Sequence, residues 1–360
     1  MTLPAVELAI QATLAATRSA TQPAGAAAAD LLDHLDAVAS GGKRLRAQLL
    51  LASHGAHGGH HDGASAREAA VCVAAAVELF QTAALVHDDV LDAAHTRRGK
   101  PTIHHALAAQ HREREWTGDP EHFGMSGAIL AGDLALMAAH RALGQGAGLL
   151  AAPANQVVMG LFADMADLCT AGQFLDMELA ARPLAAIADQ GSDILAVMRS
   201  KTASYTAEFP LALGAACANA SAREVAAMRE VGVPLGIAFQ LRDDVLGLVG
   251  LPAVTGKPAG DDVREGKRTL LVAHAWAYGD QATRAILEAT VGNSGATSGQ
   301  LADAVAAIVA SGAVGEVEAH IAAYARQASE ALGQAELGLT DEAGRAELDK
   351  LIAATTSRLA

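Results

Sequence analysis

The sequence predicts an all-α protein. Three observations carry that prediction: aromatic residues make up 3% of the chain, alanine and leucine recur in almost every stretch, and apolar residues fall at helical spacing between short breaks. Short β-branched runs leave little material for strands. At 360 residues, 51% hydrophobic and 18% charged, the chain has ample material for a core and lacks the composition of a disordered one. The breaks set the helix ends in order: residues 21–25 (TQPAG), the Gly/His-rich 54–63, then 117–120, 144–153, 251–260 and 291–299. They separate roughly a dozen helices. None is long or polar enough for a linker, so one helical domain over residues 1–360 is expected.

Charge and cysteine usage exclude several classes. With 26 basic against 40 acidic residues and a net charge of −14, the surface repels a phosphate backbone, so nucleic acid is not an expected partner. Cys72, Cys169 and Cys217 have no CxxC spacing and are odd in number, as suits reduced core thiols of a cytoplasmic protein. The amino terminus MTLPAVELAI lacks a basic region, and the longest apolar run, 69–77, is short for a membrane span, so no membrane insertion is expected. The stretch SHGAHGGHHDG carries His54, His57, His60 and His61, but its four glycines read as a solvated loop, not a metal site.

Chemistry begins at two acidic clusters. In ELFQTAALVHDDVLD, Asp88 and Asp92 are i,i+4 neighbours near a helix end, with Asp89 between them. Carboxylates held together repel unless cations neutralise them, and hard oxygen ligands at this spacing suit Mg²⁺ shared with a substrate phosphate. Asp243 and Asp244 in FQLRDDVLG follow a similar apolar helix, so two acidic faces are placed to clamp one metal cluster. An isolated acidic pair is ordinarily a solvated helix face, but the lysines shift that balance. Only six occur, against twenty arginines, and five of them stand beside Gly-rich or acidic motifs: GGKRLR, RRGKPT, KTASY, TGKPAG and REGKRT. Such cations beside paired aspartates, with glycines that let a backbone approach, describe a site for a metal-bridged diphosphate. Neither a GxxxxGK[ST] loop nor a GxGxxG fingerprint is present.

Gly41-Gly42-Lys43-Arg44-Leu45-Arg46 matches the pattern GGKRxR, and Asp88-Asp89-Val90-Leu91-Asp92 followed by Arg97-Arg98-Gly99 matches DDxxD with RRG. Gly172-Gln173 with Asp176, then Lys201-Thr202, then Phe239-Gln240 with Asp243-Asp244 follow in order. In these motifs the chain resembles the trans-isoprenyl diphosphate synthases, the polyprenyl synthetase family, across nearly its whole length, and most resembles bacterial geranylgeranyl diphosphate synthases. One departure is Gly247, where many members carry a third aspartate; Asp261-Asp262 are expected to supply the missing carboxylate.

The resemblance implies antiparallel helices around a deep central cavity, a homodimer, and Mg²⁺, three ions per site in that family, on Asp88, Asp92 and Asp243. It implies that Arg97, Lys201 and Lys257 grip the allylic diphosphate, with Asp89 and Asp244 completing the catalytic carboxylates. Isopentenyl diphosphate falls to Gly42, Lys43, Arg46, Arg98 and Gln81, and Thr202, Gln240 and Lys267 join the substrate-binding set. The departing diphosphate takes the proton, so no dedicated protein base is needed.

Product length should follow from what lies below the first aspartates, as the growing tail runs beside that helix. Ala84 and Ala83 stand one turn down, Phe80 two and Val77 three, at about 5.4 Å per turn. Two alanines leave the first level open, so Phe80, supported by Met137 or His140, is the candidate floor, and C20 is the expected product with C15 and longer chains as alternatives. Phe80 as ordinary core packing is the competing reading. Terpene cyclases share the helical cavity but hold no second substrate, which leaves GGKRLR and Arg97-Arg98 without purpose. A non-catalytic subunit of a prenyl synthase is the alternative of another class, and the retained aspartates and lysines weigh against it. Residues 112–124 are expected to be an exposed connection.

Overall fold

A computed structural model describes residues 2–61, 63–250, 260–334 and 338–356. Among them, 16 α-helices and one two-residue ribbon pair bear out the all-α class. Contacts divide the chain into two compact units, the first of Met1–Phe162, Pro210–Ala222 and Gly338–Arg345, the second of Ala163–Phe209, Arg223–Leu337 and Ala346–Ala360.

The first unit is built on α1 (Leu3–Thr21), α2 (Ala26–Ala39), α3 (Leu45–Ala56), α4 (Ala64–Leu91), α5 (Ile103–Glu113) and α6 (Pro120–Gly148). Small side chains explain its packing. Ala69, Ala70, Ala74, Ala75 and Ala76 of α4 and Ala131, Ala135, Ala138 and Ala139 of α6 are completely buried. A Cβ on Gly146 of α6 would stand 2.9 Å from the Ala69 carbonyl, so the glycine permits close helix approach. That contact also carries α6 through Gly144, where the sequence suggests a break. Asp119 caps α6, accepting from the Glu121 N–H at 3.0 Å, with Pro120 at the first helical position.

Two expectations change here and one holds. His54 belongs to α3 and is fully buried, so the histidine loop begins only at His57. Residues 112–124 are the exposed connection expected, with Trp116 edge-on to His111 and Phe123 at centroid distances of 5.9 and 5.3 Å. By length and composition, α4 and α6 could each cross a membrane, contrary to the short apolar run read from sequence, although 72% of the α4 window is buried inside the protein.

The second unit contains most of α7 (Ala154–Ala181), α8 (Gly191–Val197), and a π-helical continuation, Met198–Glu208, leading into α9 (Phe209–Cys217), which from Pro210 on belongs to the first unit. It goes on with α10 (Ala222–Val249), α11 (Asp261–Glu265), α12 (Leu270–Tyr278), α13 (Gln281–Thr290), α14 (Ser298–Ala310), α15 (Ala313–Leu332) and α16 (Glu342–Thr356). Leu179, Ile194, Leu241, Leu271 and Leu287 belong to its core. The short α8 and α11 account for part of the excess over a dozen among the described residues, because pieces of seven and five residues show no periodicity in sequence.

Candidate active site

At the end of α4 the Asp92 N–H donates to the Asp88 carbonyl at 2.8 Å, which keeps Asp88 and Asp92 one turn apart. Carboxylates there oppose both each other and the negative end of the helix dipole. Arg97 provides part of the compensation: Nε donates to Asp89 Oδ1 at 2.7 Å and Nη2 to Asp88 Oδ2 at 3.5 Å. Burial works against the guanidinium charge, but Asp89 and Asp88 hold Arg97 above its ordinary pKa. The adjacent carboxylates therefore divide their work, with Asp89 buried as the holder of Arg97 and Asp88 and Asp92 half-buried.

Beyond α4 the chain forms a ribbon pairing Thr96 with Pro101 and Arg97 with Lys100. Its turn residues, Arg98 and Gly99, have φ of 52° and 73°, a two-residue turn with both central residues left-handed. That geometry accounts for the glycine after the paired arginines. The turn brings Arg98 to the loop before α3, where a Cβ on Gly42 would lie 3.2 Å from Arg98 Nη2. Burial, then the charges of Arg97 and Arg44, lower the Arg98 pKa, the electrostatics of a place that favours an anion. Lys43 is exposed, Arg46 is buried in the first turn of α3, and Gln81 is half-buried on α4.

Below the aspartates, Ala83 is fully buried, Ala84 is half-buried, and Phe80 is 4% exposed. The Phe80 ring meets Phe162 edge-on at 5.9 Å, and Phe162 meets His140 at 5.8 Å. His140 thus supports Phe80 through Phe162, a residue sequence reasoning missed, and Met137 is 58% exposed.

In the second unit, Lys201 and Asp176 form an ion pair of 2.6 Å, so the KT and GQxxD elements prove to be partners. Gly172 makes this possible: a Cβ there would stand 2.3 Å from the Lys201 nitrogen, and Cys169 Sγ donates to the Lys201 carbonyl at 3.3 Å. Gly232 and Gly236 of α10 press on the other part of the π-helical segment, at Glu208 and Ala203. Thr202 is half-buried in that segment. π-helical insertions of this kind concentrate at functional sites.

Asp243 is exposed on α10 while Asp244 is buried and accepts from Gln240 Nε2 at 2.6 Å, which turns Gln240 toward its neighbour on the helix. Burial, then Asp262 and Asp243, push the Asp244 carboxyl up to about 8. Asp262 stands where the sequence asks for a carboxylate: a Cβ on Gly247 would meet its Oδ2 at 2.4 Å. Lys267 pairs with Glu265 at 2.8 Å and Asp262 at 3.4 Å. Lys257 lies outside the described residues.

The donor set fits Mg²⁺. It consists of hard carboxylate oxygens, on a half-buried Asp88 and Asp92 and an exposed Asp243. Among the described residues no group of three or more His, Cys, Asp or Glu side chains is gathered to hold a metal ion, so Mg²⁺ on these aspartates would need phosphate or water oxygens as well.

Known proteins share this chain's sequence and fold. The polyprenyl synthetase profile matches residues 29–308. A geranylgeranyl diphosphate synthase of Sulfolobus acidocaldarius is 34% identical over 264 residues, 73% of this chain and 71% of that protein. A geranylfarnesyl diphosphate synthase of Aeropyrum pernix is 33% identical over 302 residues, 83% of this chain and 86% of that protein. The crystal structure of a geranylgeranyl pyrophosphate synthase from Corynebacterium glutamicum, complexed with isoprenyl diphosphate and magnesium, superposes with a TM-score of 0.89 at 37% identity, over 98% of each chain. The chain belongs to the polyprenyl synthetase family.

Proposed function

We propose that the protein is a Mg²⁺-dependent trans-prenyltransferase that condenses isopentenyl diphosphate with an allylic diphosphate head to tail, giving geranylgeranyl diphosphate. The observation that carries this reading is the end of α4, where Arg97 is fixed by Asp89 beside Asp88 and the next residue, Arg98, reaches the Gly42 loop. Carboxylates and phosphate-seeking cations are thereby assembled in one place.

Asp88, Asp92 and Asp243 are the residues that would hold Mg²⁺. When bound, Mg²⁺ supplies Lewis-acid stabilisation of the charge on the leaving diphosphate. Arg97 and Lys201 take its oxygens, each aimed by a carboxylate partner, Asp89 or Asp176. Lys257 is assigned to the same phosphates and Thr202, Gln240 and Lys267 to the surrounding substrate shell. As the allylic C–O bond breaks, the diphosphate leaves with the electron pair. The isopentenyl double bond supplies the electrons of the new C–C bond, and loss of a proton to the departing diphosphate restores a double bond. Lys43, Arg46, Arg98 and Gln81 hold isopentenyl diphosphate throughout.

Ala83 and Ala84 leave the first level open, and Phe80, backed by Phe162, is the floor that sets C20; farnesyl and longer products are the alternatives. The apolar residues Met125, Ile129, Leu130 and Met137, exposed on α6, are assigned to a homodimer contact and not to lipid. The free cysteines suit the cytoplasm. Asp88→Asn and Asp243→Asn should each lower kcat about 10²–10³-fold. Full activity in either variant would end its assignment as a ligand.

A further inference from the structure

Within GGKRLR, Arg44 is buried, at 8% exposure, and faces into the protein. Its Nε and Nη2 donate to the two carboxylate oxygens of Glu7 on α1, at 2.6 and 3.0 Å. Nη2 also donates to the Ala39 carbonyl at the end of α2, at 2.6 Å, and Nη1 reaches Glu78 of α4 at 3.5 Å. Glu78 is buried in turn and accepts the Ala47 N–H of α3 at 3.0 Å. One guanidinium thus joins four helices. It does so from a left-handed backbone: Gly41, Gly42 and Arg44 have φ of 76°, 94° and 51°. Glycine adopts that region readily, but an arginine there needs its side chain held.

We infer that Arg44 is the positioning residue of the isopentenyl diphosphate loop. It touches no substrate and acts through its neighbours, fixing the curvature of residues 41–44 so that the Gly42 backbone lies against Arg98 and Lys43 stays outside. Glu78 is on the helix that carries Asp88, so the same lock sets the loop in register with the acidic motif. A lysine keeps the charge but cannot reproduce a planar fork shared by two carboxylates and a carbonyl. The inference rests on the assignment of Lys43 and Arg98 to isopentenyl diphosphate.

The test is steady-state kinetics of Lys43→Ala, Arg44→Lys and Glu7→Gln, with KM measured separately for isopentenyl and allylic diphosphates. Arg44→Lys should raise the isopentenyl KM about tenfold while the allylic KM and kcat stay within about twofold, and Glu7→Gln should shift the same constant in the same direction. If Lys43→Ala leaves the isopentenyl KM unchanged, the assignment of the loop fails, and the inference with it. If Lys43→Ala raises it and the two lock variants do not, the assignment stands and the inference is overturned. A lower Tm with kcat reduced and both KM values unchanged, the signature of a merely structural residue, also overturns it. Should Arg44→Lys fail to fold, Glu7→Gln decides alone.

Discussion

Gly172→Ala adds one methyl group at the place where α7 meets the π-helical segment. An ideal Cβ at this position lies 2.3 Å from the Lys201 nitrogen and 2.7 Å from the Ser200 carbonyl carbon, whereas ordinary contact begins at 3.4 Å. Both obstructing atoms are backbone, so no side chain can rotate aside and the segment must move by about 1 Å. Helix propensity favours the substitution by about 1 kcal/mol, while overpacking costs about 1–3 kcal/mol, toward the upper end where backbone has to yield. The expected net loss is about 1–2 kcal/mol, a fall in Tm of about 1–3 °C for a chain of this length. The same displacement moves Lys201 away from Asp176, its partner at 2.6 Å, and a misplacement of about 1 Å in a catalytic cation costs about 10²-fold in rate. Calorimetry and kcat/KM toward an allylic primer read the two effects. A raised Tm with unchanged kcat/KM would mean that α7 and the Lys201 segment do not approach as described.

The remaining predictions concern chain length, the second acidic motif and pH. Ala84→Phe should shorten the product to C15 and Phe80→Ala should lengthen it beyond C20, as sized by chromatography of the dephosphorylated alcohols; an unchanged distribution for Phe80→Ala would put the floor elsewhere. Asp262→Ala should raise the Mg²⁺ concentration for half-maximal activity about tenfold, as loss of an outer carboxylate does, and unchanged Mg²⁺ dependence would remove Asp262 from the site. Burial, then the charges of His105 and His95, push His104 down to about 4 from 6.5, with Glu121 opposing. The unfolded chain therefore binds more protons in that window, and stability is lost as pH falls from about 6.5 to about 4. His104→Gln should flatten this part of a Tm-against-pH curve; an unaltered slope would contradict the assignment.

The sequence made legible those features whose chemistry depends on residue type. Asp88, Asp92, Lys201 and Asp243 could be chosen because paired carboxylates and scarce lysines have few other reasons to recur in such motifs. Which of two adjacent side chains turns inward could not be read so directly: Asp89 and Asp244 are buried while Asp88 and Asp243 are more exposed, and that depends on the rotation of α4 and α10 against their neighbours. The pairing of Lys201 with Asp176 joins motifs 25 residues apart and needed the fold. The π-helical stretch had no signal in sequence, since its residues show no distinct period and the glycines that press on it lie on other helices. Phe162 was missed as the support of Phe80 because it lies 82 residues away on another helix, although the Arg98-Gly99 turn was available in RRGK to a reading of positive-φ preferences.

The most direct test of the central claim is incubation of the purified protein with Mg²⁺, labelled isopentenyl diphosphate and, separately, C5, C10 and C15 allylic primers, followed by sizing of the dephosphorylated products. A dominant C20 alcohol that disappears when Mg²⁺ is chelated is the predicted result. Failure to condense any primer, in a folded protein that gains activity only with a partner synthase, would contradict it.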